Sequence, residues 1–171
     1  GLGFSGSGAV LDLLHEYGDI DGFSKCEMSI CYYPDGIEDL DYHLNKLHSR
    51  YMSSDAALYS FEKMMKARFG HNSIRRPKYA KEIMGLTERY IETLSTVKWK
   101  GSWGYREYID GRIKSFIVCN VLQRISLFLH RKFSWNVQLA PLETMRLSIC
   151  PKNFDEITKA YLKDVLKTIG Y

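Results

Sequence analysis

The chain has 171 residues, of which 45% are apolar and 26% are charged, and its formal net charge is +4. This length suits one domain with its own core, and the composition is that of an ordinary globular protein. The mild positive charge is compatible with an anionic ligand, but nucleic-acid-binding proteins typically carry a denser basic stripe, so nucleic acid is not expected as a partner.

The sequence also argues against a transmembrane segment and against a disulfide framework. No apolar run approaches the roughly 18 residues of a membrane-spanning helix, and the nearest run, 113–129, is interrupted by polar and charged side chains. The four cysteines (Cys26, Cys31, Cys119 and Cys150) have no metal-ligand spacing and indicate free thiols in a reducing compartment. We therefore expect a cytoplasmic protein without a bound metal.

The first third of the chain alternates between predicted helix and strand. Apolar residues at helical spacing predict a first helix over about Ser7–Tyr17, and a short strand is expected at Phe23–Ile30. Pro34-Asp35-Gly36 is a turn signal, and a helical pattern begins at Ile37.

The central part is predicted to be helical. Ser53-Ser54-Asp55 offers N-caps for a helix that Gly70 closes, and Pro77 begins a third helix through about Leu94. Residues 98–111 break the pattern with glycines and aromatics, and a long helix is expected over Arg112–Lys132.

The end of the chain reads as a strand followed by a helix. Met145, Leu147 and Ile149 alternate with polar residues, which predicts a strand over Met145–Cys150 with these three on one face. Asn153 and Glu156 have the spacing of a capping box. The layout is therefore helix-rich α/β: a β-loop-α start, a large helical insertion and a strand–helix return.

A Gly/Ser loop precedes the first predicted helix. Gly1-Leu2-Gly3-Phe4-Ser5-Gly6-Ser7-Gly8 contains four glycines in eight residues. Such a loop lets backbone N–H groups turn inward, and the positive end of the following helix dipole faces the same hollow. The pattern predicts binding of a phosphate or sulfate group, the alternative being a tight structural entry into the helix.

Two familiar nucleotide loops fit less well. Overlaid on G-x-x-x-x-G-K-[ST], the loop has Ala9 and Val10 where ATP- and GTP-binding proteins place Lys and Ser/Thr. The loop also satisfies G-x-G-x-x-G, and Asp19, Asp21 and Glu27 lie near the distance of a ribose-binding carboxylate in NAD-binding proteins. Both alternatives stay open.

The stretch Phe4-Ser5-Gly6-Ser7-Gly8-Ala9-Val10-Leu11 resembles the 5′-phosphosulfate loop of sulfotransferases, roughly [KR]-S-G-[ST]-[ST] running into an apolar helix. The likeness covers Gly3–Tyr17. It implies a P-loop-like three-layer start, a single P-loop-like domain over 1–171 that is an N-terminal portion of a longer protein, and a helical insertion at about 37–133.

By this resemblance the loop would hold the 5′-phosphosulfate of the sulfuryl donor PAPS, through Gly3, Phe4, Ser5, Gly6, Ser7 and Gly8. Phe4 departs from the family pattern, because the usual Lys or Arg offsets charge on the sulfuryl group during transfer. The second, 3′-phosphate-binding segment of sulfotransferases has no counterpart here. The resemblance implies a hydroxyl-bearing acceptor such as a carbohydrate.

Sulfuryl transfer needs a base for the acceptor's proton, and Glu27 is the candidate because it would emerge near the strand end beside the loop. His15 lies about two turns into the first helix, too far from the loop. An acceptor platform could involve Trp99, Trp103, Tyr105 and Tyr108 with neighbouring Lys and Arg residues, although an anchoring role is favoured. A non-catalytic domain that keeps the loop only as structure is the opposing hypothesis.

Overall fold

The computed structural model describes residues 13, 16, 30–47, 53–70, 79–101, 109–137, 139, 142–149 and 151–169. Within these residues the chain is mostly helical. The α-helices are α1 Ile37–Asp41, α2 Ser54–Phe69, α3 Ala80–Leu94, α4 Arg112–Phe116, α5 Gln123–Phe133 and α6 Phe154–Thr168. The strands are β1 Val97–Gly101 and β2 Glu143–Leu147, and π-helical turns cover Tyr42–Lys46 and Ile117–Leu122.

The predicted turn before α1 is confirmed. Asp35 adopts a left-handed conformation with φ of 63°, and the Gly36 N–H donates to the Tyr33 carbonyl at 2.7 Å. The Ile37 N–H then donates to the carbonyl of the fully buried Ile30 at 3.1 Å. The turn therefore folds α1 back against the segment that precedes it.

Gly36 is required by close approach of the backbone. A Cβ there would come within 2.6 Å of the Tyr33 carbonyl oxygen and closer still to that of Ile30. We expect Gly36→Ala to lower the free energy of unfolding by about 1–3 kcal/mol, because the turn must open to relieve the overlap. Urea unfolding followed by circular dichroism measures the change.

Gly85→Ala is the matched control for this substitution. Gly85 is an exposed residue inside α3, and a Cβ there meets nothing within 4 Å. Since alanine is the better helix former, Gly85→Ala is expected to raise the free energy of unfolding by about 0.5–1 kcal/mol. Equal effects at the two glycines would contradict the crowding at Gly36.

The core lies between α2, α3 and α6. Phe61 and Met65 of α2, Ile83 and Ile91 of α3, and Val165 of α6 are all completely or almost completely buried. Met65 lies in this core, and the partly buried Met64 and Met84 pack against it. These three helices form the helical block that positions the other elements.

The two strands pair antiparallel, with Val97 opposite Leu147 and Gly101 opposite Glu143. The outer edge of β2 meets the first turn of α2. There the Asp55 carboxylate accepts the Arg146 N–H at 2.7 Å, and the Ser54 hydroxyl accepts the Ser148 N–H at 3.0 Å. Side chains of a helix N-terminus thus satisfy backbone donors that a two-stranded sheet would leave unpaired.

The second predicted strand and the last helix differ from expectation in detail. Strand β2 covers Glu143–Leu147 rather than Met145–Cys150. Of the three residues expected on one face, Met145 is buried, whereas Leu147 and Ile149 are exposed. The expected capping box is wrong, since Asn153 occupies the N-cap of α6 without a side-chain hydrogen bond to the helix.

The segment 98–111, expected to be irregular, contains β1, whose pairing with β2 overrides its weak local signal.

The helix-rich α/β expectation agrees with the described residues, in which six α-helices accompany one two-stranded sheet. The P-loop-like start depends on residues 1–29, of which only Leu13 and Glu16 are described. None of the described helices is long and apolar enough to cross a membrane.

Candidate functional site

The candidate base Glu27 and His15 lie outside the described residues. The same holds for the residues of the predicted phosphate loop, which are Gly3, Phe4, Ser5, Gly6, Ser7 and Gly8. The structure describes two residues of the helix that should follow the loop. Leu13 and Glu16 are both helical, within the predicted Ser7–Tyr17. Ile30, the last residue of the predicted strand, is completely buried beside α1.

The predicted aromatic platform is described only at its start. Trp103, Tyr105 and Tyr108 lie outside the described residues, whereas Trp99 lies on β1 with 40% of its surface exposed. The neighbouring ammonium groups already have partners: Lys98 pairs with Glu92, and Lys100 donates to the Thr144 hydroxyl at 2.8 Å. Both lysines of β1 are therefore engaged, and neither offers a free ammonium group to a ligand beside the Trp99 ring.

The described residues bring together a charged cluster that the sequence analysis did not predict. Its centre is Asp110, just before α4, whose side chain is only 8% exposed. The Asp110 carboxylate accepts hydrogen bonds from the Tyr59 hydroxyl and from Lys114, and the Lys63 ammonium lies 3.6 Å away. Lys114 also contacts Glu143 at 2.9 Å. We call these five residues the Asp110 cluster.

Three elements contribute to the Asp110 cluster, so it holds the start of α4 against α2 and β2. Tyr59 and Lys63 come from α2, Lys114 comes from α4, and Glu143 begins β2. The Lys63 ammonium also donates to the Ile109 carbonyl. The sequence signal was limited to the i,i+4 spacing of Asp110 and Lys114, since the other three members are distant in the chain.

The protonation states in the Asp110 cluster follow from these contacts. Burial alone would raise the pKa of Asp110, but hydrogen bonds from Lys114 and Tyr59 outweigh burial and hold that pKa below its ordinary value. The hydrogen bond to Asp110 raises the pKa of Lys114 above its ordinary value. Burial and the same carboxylate raise the pKa of Tyr59 to about 12.

These shifts decide what the Asp110 cluster can do chemically. With a pKa of about 12, the Tyr59 hydroxyl keeps its proton at neutral pH and is no general base. The charges of its two carboxylates and two ammonium groups cancel, so the cluster has no net positive charge that would attract an anion. Its arrangement is that of a structural fastening, not of a catalytic site.

A second polar arrangement lies between α3 and α6. The rings of Tyr90 and Tyr161 stack with centroids 4.3 Å apart. Each hydroxyl contacts a threonine on the opposite helix: Tyr90 reaches Thr158 at 2.8 Å, and Tyr161 reaches Thr87 at 3.0 Å. These pairs satisfy buried hydroxyls inside the protein and so fix how α3 and α6 pack.

A cavity of about 270 Å³ opens beside this pair, with Arg89 and Asp164 at its lining. It is slightly smaller than the typical range for small-molecule sites, roughly 300–1,000 Å³. The tyrosine hydroxyls behind it are already engaged with threonines. The tyrosine hydroxyls are therefore not free to orient a ligand in this cavity.

Comparisons with protein-family models, with curated proteins and with solved structures give no match. Among the residues that the structure describes, no three His, Cys, Asp or Glu side chains are grouped so that they could hold a metal ion. A functional assignment for this chain therefore depends on its own residues, foremost the Gly/Ser loop and the helix that follows it.

Proposed function

We propose that the chain is a sulfotransferase-like protein that binds the 5′-phosphosulfate of PAPS through Gly3–Gly8. The observation that carries this proposal is the sequence of the loop, four glycines and two serines in eight residues, running into an apolar helix. The helical state of Leu13 and Glu16 agrees with the helix predicted over Ser7–Tyr17. A helix that begins at the loop would supply N–H donors and the positive end of its dipole to a bound anion.

The proposed reaction transfers a sulfuryl group to a hydroxyl acceptor such as a carbohydrate. The acceptor oxygen forms a new bond to sulfur while the bond between sulfur and the phosphate oxygen of the nucleotide breaks, which releases PAP. Glu27 would take the acceptor's proton. The loop N–H groups, together with the Ser5 and Ser7 hydroxyls, would hold the sulfate and phosphate oxygens as charge shifts onto the leaving phosphate.

Phe4 favours a second candidate function, a non-catalytic nucleotide-binding domain. It occupies the position where sulfotransferases carry Lys or Arg, so no cation at that position offsets the charge of the moving sulfuryl group. Loss of this cation weakens transfer more than it weakens binding, because the charge develops chiefly in the transition state. Nucleotide binding is therefore the property to measure first.

Calorimetric titration with PAP tests the proposal, with ATP and NAD as comparators, at low salt and without phosphate buffer. We expect selective binding of PAP and at least about a 100-fold loss of affinity in Gly6→Val, roughly 2.7 kcal/mol, because valine side-chain atoms would fill the hollow. Gly85→Val is the matched control, since a Cβ at Gly85 meets open space.

Each result of the titration has a definite meaning. Preferential binding of ATP or NAD would support the other nucleotide-binding functions and contradict the sulfotransferase-like one. Equal affinity of Gly6→Val and the unsubstituted chain would remove the loop from the binding site. Absence of binding for all three nucleotides would contradict the proposal for this chain and favour a structural loop.

A further inference from the structure

The segment 111–142 has an unusual charge distribution. It contains five Lys or Arg residues and no Asp or Glu, although the formal net charge of the whole chain is only +4. Most of the segment is the long helix, which we define as α4, the π-helical turns Ile117–Leu122 and α5. The long helix is thus a concentrated positive region on an otherwise nearly balanced protein.

The long helix also exposes an apolar ridge. The ridge consists of five side chains spaced four, four, four and three residues apart, so they share one face: Ile113, Ile117, Val121, Ile125 and Phe128. Ile113 is 80% exposed and Phe128 is 57% exposed. No residue of α5 is buried. Among the side chains of the long helix that the structure describes, Val118 is the only buried one, so most of its apolar residues face solvent.

The apolar ridge has the size of the largest apolar patch on a typical monomer. Its five side chains are 40–80% exposed and together leave roughly 400–500 Å² in water, taking about 150–200 Å² for a whole large side chain. The largest apolar patch of a typical monomer is about 300–600 Å² and is often functional, so the ridge has the size of a binding surface. Four more large apolar side chains between 113 and 135 are exposed as well: Phe116, Leu127, Phe133 and Trp135.

Cations lie beside this apolar surface. Arg124, Arg131 and Lys132 are exposed, and the Lys132 ammonium is 5.5 Å from the ring centroids of both Phe128 and Phe133. Lys114 is different, because Asp110 and Glu143 already hold it. Near the carboxyl end of the helix, the Lys132 ammonium is thus placed next to two aromatic rings.

We propose that the long helix binds the surface of a lipid bilayer that contains anionic lipids, lying in the plane of the interface. The apolar ridge would enter the boundary between headgroups and acyl chains, while Arg124, Arg131 and Lys132 reach the lipid phosphates. A second copy of the chain fits this surface less well, because a dimer through the ridge would bring two positive segments together without a carboxylate between them.

Vesicle flotation tests this proposal with the whole chain. We expect binding to phosphatidylcholine vesicles that contain about 30% phosphatidylglycerol to exceed binding to pure phosphatidylcholine by about tenfold or more, and to weaken as salt is added. Equal binding to the two kinds of vesicle, or no dependence on salt, would overturn the role of charge.

The apolar ridge is tested by the double variant Ile117→Ser and Phe128→Ser. Because both side chains are exposed, the variant should keep its circular dichroism spectrum while binding to anionic vesicles falls by at least about tenfold. Ile149→Ser with Leu166→Ser is the matched control, since both of these apolar side chains are also exposed but lie outside the long helix. A similar loss in the control would contradict the proposal.

The cations are tested by the triple variant Arg124→Gln, Arg131→Gln and Lys132→Gln. It should lose about tenfold or more in binding to anionic vesicles and little of any binding to neutral ones. The control has the same loss of charge on exposed residues of α6: Lys159→Gln, Lys163→Gln and Lys167→Gln. Equal losses in both triple variants would show a response to net charge alone and overturn the proposed site.

A second copy is the competing occupant of the ridge, and analytical ultracentrifugation identifies it. A dimer that the Ile117→Ser and Phe128→Ser variant abolishes, together with no binding to anionic vesicles, would overturn the membrane proposal. A chain that stays monomeric without lipid and binds anionic vesicles through the ridge would support it.

Discussion

Phe61→Ala is expected to lower the free energy of unfolding by about 3–5 kcal/mol, the range for removal of a fully buried aromatic side chain. Phe61 is completely buried on α2, and its ring meets Tyr90 and Tyr161 edge-on, with centroids 5.7 and 6.4 Å away. The substitution would leave a cavity where the three helices of the block meet. Since a domain is typically stable by only about 5–15 kcal/mol, this loss should shift the urea midpoint strongly.

Phe116→Ala is the matched control for this prediction. It removes the same side chain, but Phe116 is 61% exposed on the long helix. Its effect on the free energy of unfolding should stay below about 0.5 kcal/mol, as for most surface substitutions. Similar losses at both positions would mean that the core does not lie between α2, α3 and α6.

The helices were largely predictable because their signals are local. The end of α3 at Leu94, the start of α1 at Ile37 and the N-cap at Ser53 all agree with the structure. The Ser53 hydroxyl accepts the Ala56 N–H at 3.3 Å, as the cap prediction requires. Apolar periodicity and capping are properties of a few neighbouring residues, so one sequence suffices to find them.

The sheet was harder to predict, because a partner distant in sequence decides where each strand lies. Strand β1 contains two lysines, a tryptophan and a glycine, and nothing local distinguishes it from an exposed loop. Pairing with β2, which lies more than 40 residues later, makes it a strand. The alternating pattern also does not show which residues are buried, since Met145 is buried while Leu147 and Ile149 are exposed.

The candidate sites also differ in whether neighbouring residues or residues distant in sequence form them. The Gly/Ser loop is a contiguous motif that the sequence alone displays, and its assignment stays a prediction. The Asp110 cluster joins residues as far apart as Tyr59 and Glu143, so only the packing of α2 against β2 and α4 brings them together. The apolar ridge was hidden differently: its residues have the spacing of a core face, and only the structure shows that they are exposed.

Asp110→Asn should lower the free energy of unfolding by about 2–3 kcal/mol at pH 7. The amide removes the charge that holds Lys114 and Lys63, and it presents N–H groups to donors. This loss is smaller than the roughly 3–5 kcal/mol of a broken buried ion pair, because both lysines are about two-fifths exposed and water screens them. Asp164→Asn, at an exposed carboxylate of α6, should change stability by less than about 0.5 kcal/mol.

The stability difference between the unsubstituted chain and Asp110→Asn should depend on pH, and this dependence tests the role of the ionised carboxylate more directly than one measurement at pH 7. The pKa of Asp110 is lower in the folded protein than its unfolded value of about 3.9, so its contribution is complete above that value and disappears as pH falls through the folded value. Urea unfolding of the unsubstituted chain and of Asp110→Asn should therefore show a constant gap between about pH 5 and pH 8 that narrows between about pH 4 and pH 2. A stability difference that stays unchanged down to about pH 2 would contradict this prediction. It would mean that the amide lowers stability through its shape, and that the charge of Asp110 does not hold the long helix against α2 and β2.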